Sequence, residues 1–463
     1  MENISWEKEF FGLQFSDKRL QKRFFKMMDS FSREPGKSIL SACGSRSQAK
    51  AVYRLLANDE LSCEELLNSI SQATIQKMKQ LANEKILLIQ DTTELSFGYR
   101  DGIKDLGYYC DSKQKGMLAH SCIAVTQKGL VLGLVHQEYI TRKQRKNTTE
   151  TYEQRKRKSI EKKESFKWIS TLRKCHEIIP NKLETIMICD REGDFYELFA
   201  EAKKQKEHIL IRLFQNRAIG EEKHLFEKMK ASPVRGNLAI QMSRNAKEHL
   251  PSRIVKMEYH YEKVKIQKPY RRTEAYLEEE LEFTVIYVHE AKEKNGIHWY
   301  LITNVEIKTE VDAEEQIKNY IQRWKIERFH YILKSGCKIE EKQVRSYEKL
   351  SCLTLLYSVI ALQIMHMTDL GRLCPELSAE LFLEKEEIKL LYCAARKTKI
   401  LVEKSYTIKD MILVLHCTNN SELNFQRNPC ISPTEWMCGN IILFDKTSNT
   451  VFQFFDCGIT VPF

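Results

Sequence analysis

Fourteen cysteines are scattered through this chain, yet no C-x2-C pair and no regular spacing occurs among them. Zinc-finger modules and disulfide frameworks need such spacing, so neither is expected. His120, His136, His176 and the other histidines form no ligand pattern with the cysteines. Cys122, Cys189 and Cys352 sit inside apolar runs, which suits reduced, buried thiols of a cytosolic protein. The first residues, MENISWEKEF, lack a basic segment followed by an apolar stretch, so no secretory signal is expected. One run lacks charge altogether: Leu350 to Met367 holds eighteen residues without Asp, Glu, Lys or Arg. It contains Ser351, Thr354, Ser358, Gln363 and His366, and reads as a buried helix, not a membrane span. Internal repeats and low-complexity linkers are absent.

What is present is length, core and positive charge. The 463 residues are 42% hydrophobic, enough for a sizeable core and about three domains. Charged residues make up 30%, the formal net charge is +11 and the pI is near 8.8, which favours a polyanionic partner. Thr141 to Lys174 holds thirteen Lys or Arg against four Glu, either a binding segment or a solvated face.

Residues 1–75 read as all helical, with helices from Ser16 and from about Ser45 to Ala57, both rich in Lys and Arg. The turn Gly36-Lys37-Ser38 between them precedes a helix cap. Such a pair suits a small helical DNA-binding domain, with Lys37, Arg46 and Arg54 as contacts. A β-rich stretch follows: Ile86–Gln90 ends at Asp91-Thr92-Thr93, and Ser121–Val125 with Leu130–Gln137 form a hairpin. A basic helix, the strand Thr185–Cys189 ending at Asp190, a helix and the strand His208–Leu213 complete a β-β-β-α-β-α-β order, a mixed α/β layer. Residues 215–303 alternate polar and apolar, as an inserted β-rich subdomain would.

Asp312 to Lys334 is expected to form one helix. Tyr320, Arg323, Glu327 and Lys334 then fall within an arc of roughly 60°, with Ile317, Ile321, Trp324 and Ile332 on the adjacent face. Asp91, Asp190 and Glu327 are three carboxylates on rigid elements, able to hold two Mg²⁺ for phosphoryl transfer. Each also has a plainer reading: an Asp after a strand serves in turns, and Glu327 beside Arg323 and Lys334 suits a helix-surface ion pair.

In their order, these motifs resemble the DDE transposases of the bacterial insertion-sequence-four group. The D-T-T motif is matched by Asp91-Thr92-Thr93. The D-R-E-x-D motif is matched by Asp190-Arg191-Glu192-Gly193-Asp194. The Y-x2-R-x3-E-x6-K signature is matched by Tyr320, Arg323, Glu327 and Lys334, and G-K-S-I and Y-R by Gly36–Ile39 and Tyr53-Arg54. The resemblance covers roughly residues 5–365. It implies an RNase-H-like mixed sheet with flanking helices, split as 76–214 and 304–367 around the insertion at 215–303. A helical DNA-binding domain would precede it at 1–75, and a mainly helical C-terminal part, possibly for dimerisation, would follow at 368–463. It implies cut-and-paste transposition by two Mg²⁺ held by Asp91, Asp190 and Glu327, with Mn²⁺ as a substitute. Tyr320, Arg323 and Lys334 would hold end phosphates, Trp299 would stack a flipped base, and Arg212 would contact the flipped region. The partners would be double-stranded DNA and a second copy on DNA, with no membrane, in the bacterial cytosol or nucleoid. A transposon-derived DNA-binding protein, or a nuclease without strand transfer, is the alternative. Leu381–Leu415 is the expected subunit contact. Residues 425–463 depart from the family pattern and read as strand-like.

Overall fold

The computed structural model describes residues 6–381 apart from 82, 99–101, 110–113, 143–150, 152–157, 220–223, 243–252, 271–276 and 292–295; beyond 381 it describes 385, 388–389, 405–410, 441–445 and 450–454. Most of Leu381–Leu415, and residues 143–150 and 152–157 of the basic segment, therefore lie outside the described residues.

Three antiparallel strands open the sheet: β1 (Ile86–Ser96), β2 (Gly116–Thr126) and β3 (Val131–Ile140). β2 is buried along its whole length, as expected of a strand covered on both faces. β4 (Thr185–Cys189) and β5 (His208–Arg212) then add parallel to β1, giving the order β3-β2-β1-β4-β5 of an RNase-H-like core. The insertion does not stand apart. Its strands β6 (Gly236–Met242), β7 (Arg253–Gln267), β8 (Glu280–Glu290) and β9 (His298–Thr303) extend the same sheet to nine, because β9 pairs antiparallel with β5.

Helices cover both faces. On one side α6 (Phe166–Ile178) and α7 (Tyr196–Gln205) bury Trp168, Leu172, Leu198 and Phe199 against Leu88 and Met187. On the other, α9 (Glu310–Ile321), α10 (Trp324–Tyr331) and α11 (Tyr347–Leu373) pack on Leu87, Ile89 and Ile188. The N-terminal helices α2 (Lys18–Arg33) and α4 (Arg46–Leu55) join this second core through Phe24, Phe31, Val52 and Leu55. α2 starts at Asp17, whose carboxylate accepts from the Arg19 amide, and α4 starts at Ser45, whose hydroxyl accepts from Gln48. α11 is long and apolar enough to cross a membrane, but 78% of its apolar window is buried inside the protein, where Phe31 stacks on Tyr357. Edge strand β3 is covered by α5 (Cys63–Lys79): Ser71 donates to the Val135 carbonyl at 2.6 Å and Thr74 to that of Leu134 at 2.7 Å. The eight cysteines among the described residues are free thiols, six of them buried. In the C-terminal tail, Ile441–Asp445 pairs antiparallel with Thr450–Phe454, in line with its strand-like pattern.

Two expectations need correction. β1 does not stop at Gln90 but runs to Ser96, because β2 pairs with it throughout; Asp91 is therefore mid-strand, at the level where β4 ends. The expected single helix from Asp312 to Lys334 is two helices and a π turn. Around Gln322 and Arg323 the amides of Arg323, Lys325 and Ile326 bond three residues back, winding the chain more tightly. At Ile332–Gly336 it loosens, and the Cys337 amide bonds five residues back to Ile332. A uniform 100° per residue ignores both.

α10 is tied to α11 by an ion pair, Lys325 Nζ to Asp369 Oδ1 at 2.6 Å, with the Asp369 side chain 1% exposed. Burial lowers the Lys325 pKa while Asp369 pulls it back up. Asp369→Ala strands a buried ammonium and should cost about 3–5 kcal/mol, read as a lower urea midpoint. An unchanged midpoint would mean that the pair does not hold these helices together.

Candidate active site and nucleic-acid interface

The site begins with strand register. β1 and β4 pair in parallel from Ile86 opposite Thr185 to Ile89 opposite Ile188. Carried two residues on, that register brings Asp91 beside Asp190. Side chains alternate along a strand, so Asp91 shares the face of Leu87 and Ile89, under the glutamate helix α10. The Asp91 carboxylate accepts from the Thr92 amide at 2.7 Å. Asp190 caps the short turn Arg191–Gly193, accepting from the Glu192 amide at 2.8 Å. Glu327 faces both from α10. Arg323 lies between: its guanidinium stands 3.4 Å from Asp91 Oδ2 and also pairs with Glu327 Oε1.

The charge balance is unfavourable for the acids. Burial raises the Asp91 pKa first, and nearby Asp190 raises it further; Arg323 and the Thr92 amide oppose, Glu327 adds, and the result is about 7. Glu327 is raised too, by burial and Asp190 against Arg323. For Arg323, burial works against charge, but Tyr320, Glu327 and Asp91 together hold it firmly protonated. Among the described residues no three His, Cys, Asp or Glu side chains are gathered around one point; at this site Arg323 is the counter-charge.

Around the acids lie several of the other expected residues. Arg212, at the end of β5, is near enough to Tyr320, Arg191, Arg323 and Asp190 to interact electrostatically; burial lowers its pKa. Trp299 on β9 is half-buried, its ring 5.9 Å from that of Tyr320. Tyr320 itself is buried, with no partner for its hydroxyl, and burial pushes it up to about 12. Lys334, in the π turn, donates to the Glu94 carbonyl at 3.0 Å, and so follows β1 beyond Asp91.

Sequence reading missed three contributors. Phe214, two residues past Arg212, is 67% exposed, and the Arg191 guanidinium lies 5.9 Å from its ring centre. His120 is fully buried on β2 opposite Thr92; its Nε2–H donates to Gln90 Oε1 at 2.9 Å, and its Nδ1 accepts from the Thr92 hydroxyl at 2.8 Å. It thus clamps both neighbours of Asp91 from the opposite face of the sheet, and burial keeps it neutral. Lys342, 2% exposed, donates to the carbonyls of Pro35 and Lys37, fixing the Gly36-Lys37-Ser38 turn. Gly36 fits there because a Cβ would come within 3.1 Å of the Gly336 carbonyl, at the end of the π turn. Only the contact between distant segments marks these residues. No motif does.

Lys37, Arg46 and Arg54 are exposed on the N-terminal module, with Lys22, Arg23, Lys26 and Lys50. They do not reach the carboxylates; the Lys342 contact and a bond from the Tyr53 hydroxyl to the Gln343 carbonyl at 3.2 Å seat their module on the segment following the glutamate helix.

Residues 4–61 match the family described as transposase DNA-binding. The chain also bears a distant likeness to the cryo-EM structure of piggyBac transposase synaptic complex with hairpin DNA: 10% identity, TM-score 0.38, 91% of this chain and 78% of that one. That likeness is too low to carry function. The family match makes the basic N-terminal module similar to the DNA-binding part of transposases.

The raised Asp91 pKa has a consequence for stability. Its folded value, about 7, lies above the unfolded value of 3.8, so the folded state holds the proton more tightly. The carboxylate therefore costs nothing at low pH and weakens the fold increasingly as pH rises from about 4 to about 7. Asp91→Asn should be more stable than wild type at pH 8, by on the order of 1–4 kcal/mol, and equal to it near pH 3. Denaturation at the two pH values checks this; equal stability at pH 8 would contradict it.

Proposed function

We propose that this protein is a DNA transposase that excises an element by metal-dependent phosphoryl transfer and joins it to target DNA. The observation carrying this reading is that Asp91, Asp190 and Glu327 lie near enough to act on one another's charge, where β4 ends beside the middle of β1, in a chain whose N-terminus matches a transposase DNA-binding family. Hard oxygen donors suit Mg²⁺, with Mn²⁺ as a substitute, and a dication would offset the burial and the Asp190 repulsion that disfavour the Asp91 carboxylate. These three residues would hold two such ions. When bound, the ions stabilise charge on the attacking and leaving oxygens of an in-line displacement.

The chain's own groups bind and orient DNA. Arg323, released from the acids as cations enter, becomes available to a phosphate beside Arg212 and Lys334. Tyr320 supports Trp299 from below. Water attacks a phosphorus at the element end, one P–O bond breaks, and a 3′-hydroxyl is freed. That hydroxyl attacks the opposite strand, exchanging one phosphodiester for another and closing a hairpin. A second water reopens the hairpin, and the same 3′-hydroxyl attacks target DNA. Closing the hairpin takes a base out of the stack, and an aromatic face can receive it. Trp299 serves there, and Phe214 offers a more open ring. Paired cleavage needs both ends in one complex, so the working unit is a homodimer assembled on DNA in the bacterial cytosol.

Asp91→Ala, Asp190→Ala or Glu327→Ala should abolish Mg²⁺-dependent cleavage while Kd for an end duplex changes less than about threefold, since Lys and Arg carry phosphate binding. Gel cleavage and fluorescence anisotropy measure the two. Cleavage surviving any of these changes would sink the reading; cleavage without joining would mark a nuclease.

Deleting the N-terminal module would uncover Tyr357, on which Phe31 stacks, so charge reversal is the cleaner probe of end recognition. Arg46→Glu with Arg54→Glu should erase preference for end over random DNA and reduce the salt dependence of binding by about one unit per lost phosphate contact. Undiminished discrimination in a competition assay would place recognition elsewhere.

A further inference from the structure

The insertion carries a histidine pair that the transposition chemistry does not use. It lies on the face of β7 and β8 turned away from Trp299, alongside Tyr287. His260 on β7 is 4% exposed, and His289 on β8 stands cross-strand from Glu258, two residues before His260. Their Nε2 atoms are 3.2 Å apart.

The other ring nitrogens decide what that contact means. His260 Nδ1 lies 2.7 Å from the Ser232 carbonyl oxygen, and His289 Nδ1 lies 3.4 Å from that of Glu290. A carbonyl oxygen can only accept, so at 2.7 Å His260 Nδ1 is the donor and carries the proton, and its Nε2 presents a lone pair towards His289. With His289 in its Nδ1–H form, both Nε2 atoms present lone pairs that one cation between them would satisfy. Two nitrogens bound to one zinc at about 2.0–2.1 Å in a tetrahedron stand roughly 3.3–3.4 Å apart, close to the spacing found. A backbone carbonyl behind each ring is also how metal-binding imidazoles are oriented. Glu258 supplies a carboxylate, its Oε2 3.8 Å from His289 Nε2.

We propose that His260, His289 and Glu258 bind one divalent cation of the zinc class, which staples β7 to β8 at the base of the insertion. Glu258 swings inward to complete the set, since no three ligating side chains among the described residues already surround one point. Water fills the remaining position. Imidazole nitrogens favour zinc over magnesium, so this ion differs in kind from those suited to the three carboxylates. Tyr287 stacks on His289 at 4.9 Å and Tyr300 on Tyr287 at 4.5 Å, walling one side of the pair.

The test uses the full chain in an Asp91→Asn background, stripped with chelator and titrated with Zn²⁺, with bound metal measured by atomic emission. One equivalent is expected, raising the melting temperature. His289→Gln should remove that equivalent and the temperature shift, while the metal-free melting temperature stays put. Glu258→Gln, at a half-exposed position, should weaken binding roughly 10-fold or more and keeps the test valid should the histidine variant fold poorly. Replacing zinc with Co²⁺ should give the intense visible bands of a tetrahedral nitrogen and oxygen site. Zinc uptake that is absent, or equal in parent and both variants, would overturn the proposal; the histidines would then share a proton.

Discussion

Acids crowded where β4 ends beside the middle of β1 repel, and Arg323 keeps them there. The parallel register of β1 and β4 brings Asp91 beside Asp190, and helix α10 adds Glu327 above them. One guanidinium pairs with Asp91 and Glu327, and even so burial and mutual repulsion push Asp91 to about 7. Such a cluster weakens the fold at neutral pH. It persists because the surrounding elements are held by stronger means: the sheet ladder, the Lys325–Asp369 pair and the apolar cores on both faces. A site whose acids are buried against one another within a rigid outline is suited to take up cations and phosphate together.

The same rigidity links the N-terminal module to the acids. The N-terminal module, similar to the DNA-binding part of transposases, shares a hydrophobic core with the sheet that carries the three acids. Lys342 fastens its Gly36-Lys37-Ser38 turn to the chain just past the π turn, and Lys334 lies within that turn. Burial and the two carbonyls hold Lys342 in one place, while its pKa falls to about 8. A π turn is a costly local conformation often kept at functional sites. Here it sets Lys334 over the Glu94 carbonyl and leaves Gly336 open to Gly36.

Much of the core was legible in the sequence because buried strands write themselves plainly. Ile86–Gln90 and Thr185–Cys189 are apolar runs followed by Asp, and their alternation places both acids on one face. The insertion was legible as β-rich from its alternating pattern, but its continuity with the main sheet was not, since β5–β9 pairing joins residues about ninety apart in sequence. The break at Arg323 was hidden too, because periodicity assumes constant winding. Tyr320, expected to hold a phosphate, is buried, with its ring 5.9 Å from that of Trp299. His120 and Lys342 left no mark at all: each acts through partners that only the folded chain brings near.

The proposed function requires Asp91, Asp190 and Glu327 to form one cation site from which Arg323 is displaced. Anomalous diffraction from a crystal of the protein with an element-end duplex and Mn²⁺ tests it most directly. The account predicts manganese bound by Asp91 and Asp190, with Arg323 turned from Glu327 onto a DNA phosphate. Manganese absent from the three carboxylates, with Arg323 still paired to Asp91 and Glu327, would contradict it.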